Sequence, residues 1–328
     1  MKPAIVRDGI GGRLPTGAAG PAAFLALFCA LLPAARTVRA AESGPLEIRL
    51  RSGGLERTCL VHAPANRSAA AMPLLLVLHG GSGTADGMVT LTQGRFDALA
   101  DRDGFVVGYP QGVGRSWNDG RRDLPSRATL ERIDDVGFFR ELVADLSRRF
   151  PIDRRRVFVA GISNGGIMAL RLACELPRDV RGVAAVGASL ARDLAGGCRA
   201  PSAVSVVEIA GTTDPIVPYA GGEVRALGAP RGAVLGAPST AELWAAKAAC
   251  RAPAVETDLP APISDGTRVR KIERPGCASG ARVVLYRVEG GGHAWPGGRP
   301  YLSERLIGKT SRNLSACDAI WEIFSGLK

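Results

Sequence analysis

The sequence predicts an α/β fold, a mostly parallel sheet with helices on both faces, in one domain, and three observations predict it. Short runs rich in Val, Ile and Leu alternate with helix-length amphipathic stretches. One such run, Val157–Ala160, passes directly through Gly161-Ile162-Ser163-Asn164-Gly165 into a helical pattern, the strand, turn and helix order of a parallel unit. No internal repeat and no Ser-, Thr- or Pro-rich linker divides the chain after residue 40. With 46% hydrophobic and 22% charged residues among 328, the chain can bury a core and is neither disordered nor fibrous in composition.

The first forty residues read as an export signal. Lys2, Arg7 and Arg13 precede the apolar run Pro21–Ala35, and Val38-Arg39-Ala40 offers a small-residue cleavage site. The run is too short to cross a bilayer, which takes about 20 apolar residues. Residues 41–328 are therefore the expected folded domain, secreted and free of the membrane after cleavage.

Strands are expected at Leu46–Arg51 and Thr58–His62, as an antiparallel hairpin, and at Leu74–Leu78, Phe105–Tyr109, Val157–Ala160, Gly182–Val186, Val204–Ala210 and Arg282–Val288. Helices are expected at Phe96–Asp101, Ile133–Phe150, Gly165–Leu176, Ala241–Ala249 and Cys317–Phe324. In Ile133–Phe150 the residues Val136, Phe139, Leu142, Val143, Leu146 and Phe150 recur at three- and four-residue steps, so one face packs on the sheet. Asp134 and Asp135 open that helix, where acids favour its dipole. The segment Arg251–Gly280, with Pro253, Pro260, Pro262 and Pro275, reads as a surface excursion.

Charge and cysteine content narrow the function. The net charge of +11 is carried by Arg dispersed among Asp and Glu, with no run longer than Arg154-Arg155-Arg156, so no nucleic-acid partner is expected. Setting Cys29 aside with the signal leaves six cysteines without a metal-ligand spacing, and no metal is expected. An even number after an export signal predicts disulfides. Cys250 and Cys277 flank the excursion and Cys174 and Cys198 flank one strand, which leaves Cys59 with Cys317; buried free thiols are the alternative.

Gly161-Ile162-Ser163-Asn164-Gly165 matches G-x-S-x-G in its strand, turn and helix setting, where a tight turn thrusts the serine out at the end of the strand. A serine hydroxyl needs a base, and of the three histidines only His293 follows Ser163, as the Ser, acid, His order of α/β-hydrolases requires. The acid should lie between them on a loop after a strand. Asp214 does, in Gly211-Thr212-Thr213-Asp214-Pro215. His79-Gly80-Gly81 follows an apolar strand, and its glycines let the backbone approach a carbonyl: Gly80 or Gly81 supplies one oxyanion donor and the Asn164 N–H the other. His79 reads as packing behind that hole. Trp117 fits either a substrate contact or a loop staple, and Trp295 either an acyl pocket or a core anchor.

These motifs resemble the polyhydroxybutyrate depolymerase and feruloyl esterase group, close to carbohydrate esterase family 1. The resemblance rests on Leu78-His79-Gly80-Gly81, Gly161–Gly166, Gly211–Tyr219 and Gly292-His293-Ala294-Trp295-Pro296-Gly297, with Ser116-Trp117-Asn118 and Asp134-Asp135-Val136 alongside. It runs from about Glu47 to the C-terminus. It implies an α/β-hydrolase fold and an exported serine esterase without a cofactor, with Ser163, Asp214 and His293 as triad. The linker and substrate-binding domain of depolymerases that attack crystalline polyester have no counterpart here, so the substrate expected is a small or oligomeric ester. A secreted serine peptidase and an inactive binding protein on the same scaffold are the competing expectations.

Overall fold

A computed structural model describes residues 46–65, 70–198 and 204–327. The expected signal peptide lies outside them. Twelve strands are formed among the described residues: β1 (Leu46–Ser52), β2 (Leu55–His62), β3 (Met72–Leu78), β4 (Val106–Pro110), β5 (Ile152–Ile162), β6 (Gly182–Val186), β7 (Ser205–Gly211), β8 (Gly221–Ala226), β9 (Ala229–Leu235), β10 (Val255–Asp258), β11 (Arg268–Arg274) and β12 (Val283–Glu289). Ten make one sheet in the order β1-β2-β4-β3-β5-β6-β7-β12-β11-β10, and β8 and β9 pair separately. From β4 to β12 the six inner strands are parallel, with antiparallel strands at both ends.

The sheet is buried on both faces, as parallel strands require. Leu74, Leu76 and Leu78 of β3 join one core cluster while Leu75 and Val77 join the other, following the two-residue period of a strand. The first cluster is closed by helices Asp135–Arg149, Asn164–Glu175 and Ala237–Lys247 through Phe139, Leu172 and Trp244. The second is closed by Arg95–Asp103 and Ala316–Ser325 through Phe96, Leu99, Ile320 and Phe324. From β3 the chain crosses to β4 on one side and later returns to β5 on the other, so strand order reverses between β3 and β5. Ligands of open α/β sheets bind beyond the C-terminal ends of the strands at such a reversal. Ser163 and His79 immediately follow those two strands.

Two expectations are corrected. The excursion Arg251–Gly280 contains β10 and β11, which extend the sheet beyond β12. In β11 the apolar residues Val269 and Ile272 lie three apart and pack on opposite faces, so no alternation marks the strand, and all four residues of β10 are exposed. Of the expected disulfides, Cys174–Cys198 and Cys250–Cys277 form, but Cys59 and Cys317 are free and buried. Cys59 belongs to the core cluster with Leu76, and Cys317 to the one with Phe105 and Trp295, so the sheet lies between them. No described helix is long and apolar enough to cross a membrane.

Candidate active site

Ser163 stands between β5 and the helix Asn164–Glu175 with φ 55° and ψ −125°, a backbone conformation that costs a non-glycine residue free energy. Serine at a helix N-cap usually accepts a hydrogen bond from the first turn, but the Ser163 side chain makes no capping bond. Its fold role is met by the backbone alone, through Ser163 N–H to Val186 O at 2.9 Å. The flanking glycines are required by space: a Cβ at Gly161 would lie 2.5 Å from the Gly165 carbonyl, and one at Gly165 2.4 Å from the His79 carbonyl oxygen. The helix N-terminus is thereby seated directly against the end of β3.

His293 follows β12 and Asp214 follows β7, and the two loops are stitched together. Thr212 N–H donates to Val288 O, and both the N–H and the hydroxyl of Thr213 donate to Gly291 O. His293 Nδ1 lies 2.7 Å from Asp214 Oδ2, with both side chains 2% exposed. Asp214 Oδ1 accepts from the N–H groups of Ile216 and Val217, each at 2.8 Å, which fixes the carboxylate plane. The His293 peptide is held on both sides, donating to Ile307 O and accepting from the Tyr301 hydroxyl at 3.0 Å. A Cβ at Gly187 would lie 3.1 Å from His293 Nδ1 and 3.7 Å from Asp214 Oδ2. Gly187 directly follows Val186, the residue that holds the Ser163 N–H. The three residues predicted as a triad therefore gather around the C-terminal end of β6.

Gly80 and Gly81 lie against Ser163 and Asn164. A Cβ at Gly80 would be 3.4 Å from Ser163 Cβ, and one at Gly81 3.8 Å from Asn164 Cβ. The Asn164 backbone N–H is in the first turn of its helix, where N–H groups have no intrahelical acceptor. Trp117 and Trp295, weighed as pocket residues, and His79, expected to pack behind the hole, are all at most 2% exposed and line no surface. Trp295 packs edge-on against Phe96, and the Trp117 indole donates to His79 O at 2.9 Å.

His79 is a structural imidazole. Its Nδ1–H donates to Gly80 O at 2.8 Å, while Nε2 accepts from Gly112 N–H at 3.0 Å. Burial pushes its pKa down to about 4, with Arg115 acting the same way and the Gly80 bond opposing. In the unfolded chain a histidine titrates near 6.5. Between those values the unfolded state binds more protons, so this contribution to stability is whole above about pH 6.5 and is lost as pH falls towards 4. His79→Gln is expected to flatten the pH dependence of the unfolding free energy measured in urea across that interval, by up to about 3 kcal/mol. Equal slopes in the two proteins would refute a buried neutral His79.

Two buried ion pairs surround the site and have no signal in the sequence. Arg57, on β2, pairs with Asp135 at 2.8 Å and stacks over Phe138, while Asp135 Oδ2 accepts from Asn118 N–H. Both acids open the helix as expected, Asp134 as its N-cap and Asp135 in its first turn. Asp119 and Arg121, both at most 3% exposed, form the other pair. A 78-residue separation hides the first. The second sits two residues apart in a loop, which sequence spacing does not distinguish from solvated charge.

Comparison with known proteins sets the chain among esterases. The family described as Esterase PHB depolymerase matches residues 58–237, a span that includes Ser163 and Asp214 and ends before His293. The protein named "Putative esterase NocK" of Nocardia uniformis subsp. tsuyamanensis is 33% identical over 260 residues, 77% of this chain and 74% of that protein. Feruloyl esterase B of Piromyces equi is 27% identical over 230 residues, covering 68% of this chain but only 40% of its own length. Among solved structures, acetyl xylan esterase from Aspergillus awamori aligns with a TM-score of 0.57 over 85% of this chain and 99% of that one. At 14% identity that likeness is one of fold.

Proposed function

The chain belongs to the family of PHB depolymerase esterases, carboxylic-ester hydrolases, and on that premise we propose that it transfers an acyl group from an ester to water through Ser163, His293 and Asp214. The observation that carries the reading is the buried His293–Asp214 pair at the end of β6, beside a serine held in a strained turn that its own side chain does nothing to stabilise. Ser163 Oγ attacks the ester carbonyl and passes its proton to His293 Nε2. His293 returns that proton to the alcohol oxygen as the C–O bond breaks, leaving an acyl-enzyme. Water then repeats the sequence. Asp214 holds the Nδ1–H tautomer and stabilises the imidazolium, and the N–H groups of Asn164 and of Gly80 or Gly81 receive the oxyanion.

The substrate proposed is a small or oligomeric ester, of the hydroxybutyrate, feruloyl or acetyl kind that named relatives act on, and no cofactor takes part. Export to an oxidising compartment belongs to the same proposal and is supported by the two disulfides. A fluorophosphonate probe tests the reading. The expected result is one adduct on the peptide bearing Ser163, with hydrolysis of p-nitrophenyl butyrate abolished in step with labelling. Labelling elsewhere, or turnover that survives full modification of Ser163, would sink it.

A further inference from the structure

Trp117 has no solvent exposure and cannot meet a substrate, yet it holds both arms of the site at once. Its backbone N–H donates to Asn164 Oδ1 at 2.8 Å and its carbonyl accepts from Asn164 Nδ2 at 2.9 Å, so one carboxamide pairs with both polar groups of one residue as a neighbouring strand would. Its indole N–H reaches the other arm, donating to the carbonyl of His79, the residue before Gly80. The ring is wedged between the His79 imidazole, with centroids 5.0 Å apart, and Phe139, at 5.6 Å. The Asn164 amide is pinned from a second side: Nδ2 donates to Asp119 Oδ2 at 2.7 Å. Asp119 in turn accepts from the backbone N–H, Nε and Nη2 of Arg121, whose Nη1 donates to Arg231 O at 2.8 Å.

We propose that Trp117 is the positioning residue that sets the spacing between the two oxyanion donors, one on the Gly80-Gly81 turn and one on Asn164. This rests on the oxyanion hole proposed above. Two donors on different segments serve one oxygen only if both stand about 2.7–3.1 Å from the place it will occupy. Gly80 and Gly81 follow β3 and Asn164 follows β5, and between their side-chain networks Trp117 is the bracket that touches both.

The test uses a matched oxoester and thionoester of one p-nitrophenyl substrate. Sulfur in place of the carbonyl oxygen is larger and accepts hydrogen bonds poorly, so a site with tightly set donors favours the oxoester. Trp117→Phe keeps the packing and the pairing with Asn164 while removing the indole N–H. It is expected to lower kcat for the oxoester roughly 10- to 100-fold, with KM little changed, and to shrink the oxo-to-thiono ratio by a similar factor. Asp119→Asn, which presents a poorer partner to Asn164 Nδ2, is expected to move the ratio the same way and serves if the first variant does not fold. Phe139→Leu loosens the packing of Trp117 without touching either hydrogen bond, and is expected to cost stability but leave the ratio alone. A wild-type ratio in folded Trp117→Phe, or an equal fall in Phe139→Leu, overturns the proposal and leaves the acyl-enzyme reading standing. A wild-type enzyme indifferent to the two esters overturns the oxyanion hole and the proposal together.

Discussion

Replacing Ser163 by alanine is expected to lower kcat for an ester by about 10⁵-fold or more, with the fold intact. The fold has no use for the hydroxyl: it caps nothing, and the bond to Val186 comes from the backbone. Alanine bears the positive φ at a cost similar to that of serine, so the thermal midpoint should stay within a few degrees of wild type. The activity that remains would come from the oxyanion donors and substrate binding alone. Circular dichroism beside the kinetics checks both halves of the prediction. Activity within tenfold of wild type in a folded Ser163→Ala protein would remove this residue from the mechanism.

Asp214→Asn is expected to lower kcat by about 10⁴-fold near neutral pH, through the tautomer of His293 rather than through loss of shape. Asp214 Oδ1 accepts from two backbone N–H groups, so an asparagine must keep its carbonyl oxygen there and turn its NH₂ towards His293 Nδ1. That NH₂ is a donor. His293 Nδ1 must then accept, which places the imidazole proton on Nε2, where Ser163 needs an acceptor. The variant should fold, react slowly with the fluorophosphonate probe, and bind a non-hydrolysable ester analogue with little change. Retention of wild-type turnover would show that the acid lies elsewhere.

Much of this was legible in the residues because each piece has a local cause. The elbow at Ser163 is announced by two glycines whose missing side chains admit the His79 and Gly165 carbonyls. Chain order singles out His293 among three histidines, and Gly292 before it packs against Ile307 and Gly308. Distant partners that no motif marks leave no trace. Arg57 and Asp135 look like ordinary surface charges until 78 residues of chain bring them together in the interior. The edge strands β10 and β11 were hidden because pairing, not side-chain alternation, makes them strands. The tryptophans are ambiguous for a related reason: aromatic rings serve surfaces and interiors equally, and only the burial of Trp117 and Trp295 in the folded chain puts both inside.

Cys59 and Cys317, the unpaired sulfhydryls among the described residues, give each half of the interior its own reporter. Burial raises the pKa of both, so each stays protonated and inert towards alkylation until its surroundings part. Modification of Cys317 ahead of Cys59 under native conditions would mean that the layer carrying the C-terminal helix separates first, while simultaneous modification would mean that both layers come apart in one step.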